Sequence, residues 1–294
     1  MKLEAFCFNL IIMRILVTGG AGFIGSHLVD ALIKKNHQVS VIDNLSTGRR
    51  ENLNNRANFY EADINDFKIN EIFTKESPEA VFHLAFNTNV PLAVKDPFYD
   101  IKSLTGSLNI IENCRKVKAN KIIFISSGFI YGNAKEYPTK ETESFKPLSP
   151  YGISKYAVEQ YLHFYKKIHN LSFVIFRPAT VYGPRQVNMA LSDYINKLSV
   201  NEQATMYGLN PKTRDYLYIQ DAVDALLLGL ERVSDDVFEP IFNIGTAKET
   251  SLTEIYSLIA NFLSKNNTPI HESARPGELE RYCLDYSKFS KFVG

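Results

Sequence analysis

The chain has 294 residues, 45% of them apolar and 12% aromatic, enough to bury a large core in one α/β unit or in a unit with a smaller lobe. Lysine plus arginine (33) nearly balances aspartate plus glutamate (32), so a global electrostatic grip on nucleic acid is not expected. The three cysteines, Cys7, Cys114 and Cys283, are far apart and lack CxxC spacing, which argues against a disulfide framework or a metal site and fits a reducing, cytoplasmic setting.

The chain opens on an apolar stretch, Ala5–Val17, interrupted by Asn9 and Arg14. It is too short to span a bilayer and leads into a glycine loop rather than a cleavage site, so no membrane association is expected. Met13 reads as the natural start and residues 1–12 as an extension without a role in a site. From there short apolar runs alternate with helical patterns. The runs Arg14–Thr18, Gln38–Asp43, Ala57–Asp63, Ala80–Ala85, Lys121–Ser127 and Leu171–Arg177 predict strands covered on both faces. Helices are predicted at about 23–36, 98–118 and 150–169. This alternation predicts an α/β fold with a doubly wound parallel sheet of Rossmann type.

After Pro178 the elements shorten. A helix near 190–199, strands at Thr205–Gly208 and Tyr216–Ile219, and a helix Asp221–Arg232 come first. A strand Ile241–Ile244, a helix Leu252–Leu263, a strand Pro269–Glu272 and a helical start Tyr286–Val293 follow. Residues 13–180 are therefore read as a dinucleotide-binding domain. Residues 181–294 are read mainly as a substrate-binding α+β lobe, some of whose elements return to the first domain.

Directly after the first strand, Gly19, Gly22 and Gly25 stand in GxxGxxG spacing, and Phe23 and Ile24 open the next helix. The first glycine permits the tight turn, the second lets the backbone approach a pyrophosphate, and the third lets helix pack on strand. The helix start offers free N–H groups and a positive dipole end to phosphates. Asp43 ends the second strand, 18 residues beyond Gly25, where a carboxylate binds ribose hydroxyls and repels a 2′-phosphate. NAD is favoured over NADP, with Arg49 and Arg50 as the residues that could serve the latter.

Tyr151 and Lys155 are four apart in a helical pattern and so lie on one face. A phenol is a poor base at neutral pH, but an adjacent ammonium and a cationic nicotinamide ring would favour its phenolate. Tyr151 is then a general base for a sugar hydroxyl, and Ser127, at a strand end, can hydrogen-bond the reacting oxygen.

Taken in order, TGGAGFIGSHL (18–28), VIDNLSTG (41–48), VFHLA (81–85), FISSGFIYG (124–132), SPYGISK (149–155), FRPATVYGPRQ (176–186), RDYLYIQD (214–221) and RPGE (275–278) make the chain similar to the extended short-chain dehydrogenase/reductase family, in its NAD-dependent epimerase/dehydratase branch. The likeness runs from Met13 to Gly294. It implies Ser127, Tyr151 and Lys155 as a catalytic trio and a homodimer through the helices near 98–118 and 150–169. On the cofactor side it implies Asp43 and Asn44, Asp63 and Ile64 at the adenine, and Leu84, Ala85, Phe86 and Pro178 along the dinucleotide. It further implies Arg214 and Arg275 as a clamp on the diphosphate of a nucleotide sugar, which guanidinium forks suit. Surface ion pairing is the alternative for each arginine. Tyr207 flanks the nucleotide base or belongs to the core. The chain departs from the pattern where Thr180 and Ser103 replace asparagines expected at substrate and cofactor, and it ends short of a final helix.

The likeness also bears on the reaction. Dehydratases of the family carry an acid pair directly after the catalytic hydroxyl residue. Here Gly128 and Phe129 stand there and can neither give nor take a proton. The expected activity is 4-epimerisation of a nucleotide sugar through a transient 4-keto intermediate. Tyr282, at a position resembling the family's sugar-pocket gate, would crowd a 2-acetamido group and favours UDP-glucose/UDP-galactose. A nucleotide-sugar oxidoreductase (4-keto reductase or dehydrogenase) stays open as an alternative, as does a non-catalytic NAD-binding regulator, against which the intact trio speaks.

Overall fold

In a computed structural model, the structure describes residues 12–187, 189–208, 212–234, 237 and 239–294; all but the last residue of the expected N-terminal extension lie outside this range. In chain order the elements are β1 (Arg14–Thr18), α1 (Phe23–Lys34), β2 (Gln38–Asp43), β3 (Asn58–Glu61), α2 (Lys68–Glu76), β4 (Ala80–His83), α3 (Val90–Lys95), α4 (Pro97–Val117), β5 (Lys121–Ile125), α5 (Pro150–His169) and β6 (Ser172–Pro178). There follow β7 (Thr180–Tyr182), α6 (Ala190–Ser199), β8 (Thr205–Tyr207), β9 (Thr213–Arg214), β10 (Tyr216–Tyr218), α7 (Ile219–Arg232), β11 (Ile241–Ile244), β12 (Thr250–Ser251), α8 (Leu252–Phe262), β13 (Ile270–Glu272) and α9 (Ser287–Val293).

Seven parallel strands form one sheet in the order β11-β6-β5-β4-β1-β2-β3. Helices cover both faces, so successive strand residues enter different cores. Ile15 and Val17 of β1 join Leu28, Leu32, Phe176 and Leu226 on the side of α1 and α7. Leu16 joins Ile110, Phe124, Val158 and Leu162 on the side of α2, α4 and α5. This two-sided burial is why the strands read as unbroken apolar runs. The fold is doubly wound.

After β3 the chain crosses to the far side of β1, so β1 and β4 are neighbours whose following connections diverge. That divergence opens a crevice at their carboxyl ends. The remainder of the chain after β6 is built from smaller pieces. β8 pairs with β13 and β7 with β10, both in parallel, and β9 pairs with β12 in antiparallel. Tyr194, Leu198, Met206, Tyr256 and Ala260 pack α6 and α8 together. β11 rejoins the main sheet beside β6.

Local chemistry sets the boundaries. Asp96 caps α4 through Phe98 N at 3.1 Å, and Ser149 caps α5 through Gly152 N at 3.3 Å, each followed by proline in the first turn. β5 stops at Ile125, two residues before the expected end, because Ser127 leaves the sheet to accept Phe129 N at 3.2 Å and start a tight turn. β4 stops at His83 because Leu84 and Ala85 turn their N–H groups to Thr18 Oγ1, at 3.2 Å each. Two helices, α2 and α3, were not anticipated. Among the described residues no helix is long and apolar enough to cross a membrane.

Candidate active site

At the crevice, the β1–α1 turn is built around backbone. Gly19 has φ +73°, and a Cβ there would lie 2.7 Å from Ala85 N, so any other residue would be both strained and in collision. A Cβ on Gly25 would lie 2.1 Å from Gly19 O, which shows how closely α1 sits on the turn. Gly22 begins α1 without a side-chain cap. The first-turn N–H groups of Phe23, Ile24 and Gly25 therefore face the crevice with the positive end of the helix.

Asp43 braces this turn from β2. It accepts Ala21 N at 3.0 Å and Leu45 N at 2.8 Å. Burial pushes its carboxyl up, and those two N–H donors pull it back. Asn44 donates to Asp63 Oδ2 at 2.8 Å. Although burial opposes it, hydrogen bonds from Asn65 and Asn44 hold Asp63 below the usual carboxylate range. Asn109 of α4 ties down Ile64 O at 2.8 Å. Arg49 and Arg50 lie on the surface, paired with Glu51 and Glu61.

A relay fixes the β4 loop. Ser107 Oγ donates to Ser103 O (2.6 Å), so it accepts from His83 Nε2 (2.8 Å). His83 Nδ1 then accepts from Thr18 Oγ1 (2.7 Å), which in turn accepts from Leu84 N and Ala85 N. Burial, with Lys155 nearby, drives His83 down to about 3, so it stays neutral. Ser103 Oγ accepts from Asn87 N at 3.0 Å. The serine that replaces the expected asparagine therefore holds the loop carrying Phe86.

Ser127, Tyr151 and Lys155 come together at the end of β5. The Ser127 side chain lies near the Tyr151 phenol and favours its ionised form. The Tyr151 ring meets Phe86 and Phe129 edge to face, both at 5.9 Å between centroids. Lys155 is buried. Its Nζ donates to Ile125 O at 2.6 Å and lies 3.8 Å from the Phe86 centroid and 4.7 Å from that of Phe124. The charge expected to depress the tyrosine has to outweigh the protein's own environment. Burial pushes Tyr151 up to about 12, with nearby Ser127 opposing and Asp100 adding to the rise. The same burial pulls Lys155 down to about 7, against the pull of Asp100 and Glu159.

Tyr282 closes the floor beside them. Its hydroxyl accepts Gly128 N at 3.0 Å and donates to Pro178 O, and its ring packs on Phe129 at 5.5 Å. A Cβ on Gly128 would lie 2.5 Å from the Tyr282 ring. Tyr282 therefore occupies the space that an acid following Ser127 would need. Beyond it lies a second cluster. Arg214 is half-buried; its Nη1 donates to Thr213 O at 2.7 Å and to Glu280 O at 3.5 Å, and burial pulls its pKa down. Arg275 covers the Tyr207 ring, 3.4 Å from centroid to guanidinium carbon, and reaches Glu278 at 3.8 Å. Thr180 N donates to Asp215 O at 2.9 Å.

Three buried groups escaped the sequence reading. Asp215 is 0% exposed and accepts Thr246 N, Thr246 Oγ1, Ala247 N and Leu284 N, joining β9–β10 to the segments after β11 and Tyr282. Arg177 is gripped by Glu159 at 3.0 and 2.6 Å and donates to Tyr131 at 2.7 Å. Asp100 lies inside α4, wholly buried. FRPATVYGPRQ and RDYLYIQD contain the first two, but nothing in a motif distinguishes a buried anchor from a ligand contact.

The family profile of the NAD-dependent epimerase/dehydratases matches residues 15–245. The chain belongs to this family. The UDP-glucose 4-epimerase of Mycolicibacterium smegmatis is 35% identical over 299 residues, covering 96% of this chain and 93% of that protein. The solved UDP-glucose 4-epimerase of Thermotoga maritima with UDP-glucose superposes with a TM-score of 0.91 at 40% identity, covering 95% of this chain and 92% of that one. The UDP-glucuronic acid 4-epimerase of Bacillus cereus, solved with UDP-glucuronic acid and NAD, gives 0.88 at 32%, covering 95% and 92%. NAD is the cofactor of this epimerase/dehydratase chain, and its residues fit the group. The turn is bare of side chains where a Cβ would collide, the α1 start is uncapped, and an acidic residue stands at the end of β2.

Proposed function

We propose that the protein is an NAD-dependent UDP-hexose 4-epimerase acting on the UDP-glucose/UDP-galactose pair through a transient 4-keto sugar. The observation that carries this reading is the juxtaposition of Ser127, Tyr151 and Lys155 at the sheet's carboxyl edge, next to a Gly128 that Tyr282 leaves no room to replace with an acid.

In this reading Gly19, Gly22, Phe23, Ile24 and Gly25 hold the dinucleotide diphosphate, and Asp43 with Asn44 holds the adenosine ribose. Asp63 and Ile64 contact the adenine, while Leu84, Ala85, Phe86, Ser103 and Pro178 line the rest. When bound, NAD supplies a hydride acceptor that becomes the donor in the return step, and a positive charge near Tyr151. Tyr151 takes the proton of the C4 hydroxyl, with Ser127 holding the same oxygen. Lys155 holds positive charge close to the phenolate, offsetting the burial that keeps the free phenol at about 12. After the 4-keto sugar turns, Tyr151 returns the proton to the C4 oxygen on the other face.

Arg214 and Arg275 hold the sugar's diphosphate and let the hexose swing about it. For Arg214 the support is a half-buried guanidinium that donates to the Thr213 and Glu280 carbonyls rather than to a carboxylate. Tyr207 carries Arg275 on one face and is assigned to the base of the nucleotide. Thr180 and Tyr282 bound the sugar. The buried, doubly bonded Tyr282 has little freedom to yield to a 2-acetamido group. We also propose a homodimer, supported by exposed Phe98 and Ile101 on α4 and Ile153, Tyr161, Phe164 and Ile168 on α5.

The test is Tyr151→Phe, assayed on UDP-glucose, UDP-N-acetylglucosamine and UDP-glucuronate with separation of the C4 epimers. Wild type converts UDP-glucose, and the variant loses roughly 10²–10⁴-fold in kcat while still retaining NAD. Undiminished turnover would remove the mechanism, and equal turnover of the N-acetylated pair would remove the assignment of Tyr282.

A further inference from the structure

We propose that Asp100 is a positioning residue for this reaction: a carboxylate buried between α4 and α5 that serves as the counter-charge of Lys155 and keeps its ammonium protonated beside Tyr151. The inference rests on the reading of Tyr151 and Lys155 given above.

Asp100 is 0% exposed, and neither carboxylate oxygen makes a hydrogen bond of normal geometry. A carboxylate at such depth persists only where a nearby cation offsets its desolvation. Its placement follows from the helix. Asp100, Ser103 and Ser107 recur at three and four residues on one inward face of α4. Ser107 accepts from His83 Nε2 and Ser103 from Asn87 N; on Asp100, burial pushes the carboxyl up while Ser154 and Lys155 of α5, the helix packed along α4, pull it back. Lys155 is equally short of partners. Among the described residues its Nζ donates to one acceptor, Ile125 O, and otherwise meets the rings of Phe86, Phe124 and Tyr151.

The other ionisable groups around this pair are already committed. Glu159, one turn along α5, is held bidentately by Arg177. His83 of β4 is neutral between Thr18 and Ser107. Tyr99, beside Asp100 on α4, is raised by its own burial and by Asp100. Asp100 is thus the carboxylate with no other cation to serve. Its charge raises both Lys155 and Tyr151. Removing that charge lets the lysine lose its proton, and the tyrosine its own, at lower pH.

The experiment is the pH dependence of kcat for UDP-glucose epimerisation by the NAD-loaded Asp100→Asn enzyme. Both limbs should move to lower pH by roughly one unit, with NAD retained and the unfolding temperature unchanged or higher. Asp100→Ala and Asp100→Ser are made alongside, and any variant that folds carries the measurement. A profile that stays in place while kcat or stability falls would make Asp100 merely structural and overturn the proposal. Failure of all three to fold would overturn it as well, since a purely electrostatic partner is not needed for folding. Tyr151→Phe is measured in the same buffers. If it is as active as wild type, the underlying reading fails; if it is inactive and the Asp100→Asn profile does not move, the inference alone fails.

Discussion

Tyr151 starts out harder to ionise than a tyrosine in water, because burial holds its phenol at about 12, and the phenolate it needs on loading with substrate and cofactor must be favoured by charge placed beside it. Its spacing from Lys155 was visible in the chain because a helix turns four residues onto one face. The depth of the pair was not visible, and depth decides both pKa directions. His83 makes the same point. Within VFHLA it is one histidine among six, yet the fold buries it neutral between Thr18 and Ser107. Its folded pKa of about 3 lies below the ordinary 6.5, so the unfolded chain binds the extra proton. The associated stability is fully present above pH 6.5 and is lost as pH falls toward 3. From this group alone wild type should lose about 2 kcal/mol at pH 5. His37 and His163 are shifted in the same direction, so the difference between wild type and His83→Gln isolates the effect. Urea unfolding at pH 7 and pH 5 should show a smaller loss in the variant, and equal losses in the two proteins would contradict the neutral relay.

Helix α5 joins the site to the core through one row of side chains. Tyr151, Lys155 and Glu159 succeed each other every four residues: the first at the crevice, the second on the end of β5, the third clamped to Arg177 of β6. The Glu159–Arg177 pair extends through Tyr131 to Asn243 of β11, so it fixes α5 against three further segments. Glu159→Gln leaves a buried guanidinium without its counter-charge and should cost about 3 kcal/mol in urea unfolding; an unchanged midpoint would contradict that role. The strands were legible because two-sided burial demands unbroken apolar runs such as Ile15–Val17 and Ile122–Ile125. Helix α2 was not, since it covers the sheet with little more than Ile69, Ile72 and Phe73 amid charged residues. Helix α3 spans six residues, too few for a period to show. The ends of β4 and β5 were set by Thr18 and Ser127, side-chain acceptors that draw the backbone out of the ladder and leave no trace in hydropathy.

For the whole molecule, the order of strands is what makes chemistry possible at one place. The crossing from β3 to β4 puts the glycine turn, the Thr18–His83 relay and the end of β5 around one crevice, while Thr180, Tyr207 and Arg214, proposed for the substrate, sit on the short strands β7 to β9. The family and the sheet were legible from ordered motifs, whereas the cluster of Arg275 on Tyr207 and the burial of Tyr282 depended on tertiary packing. The apolar row on α4 and α5 belongs to this scale too. Light scattering after gel filtration should give a dimer for wild type and a monomer for Phe164→Glu/Ile168→Glu, and a wild-type monomer would remove the proposed pairing. The central claim is that hydrogen leaves C4 of the sugar and returns to the same carbon within one closed site. The most direct measurement uses UDP-glucose carrying deuterium at C4, with the product analysed by mass spectrometry and proton NMR. The account predicts UDP-galactose that keeps the deuterium at C4, with no net change in NADH. Product whose C4 deuterium has been exchanged for solvent hydrogen would contradict it.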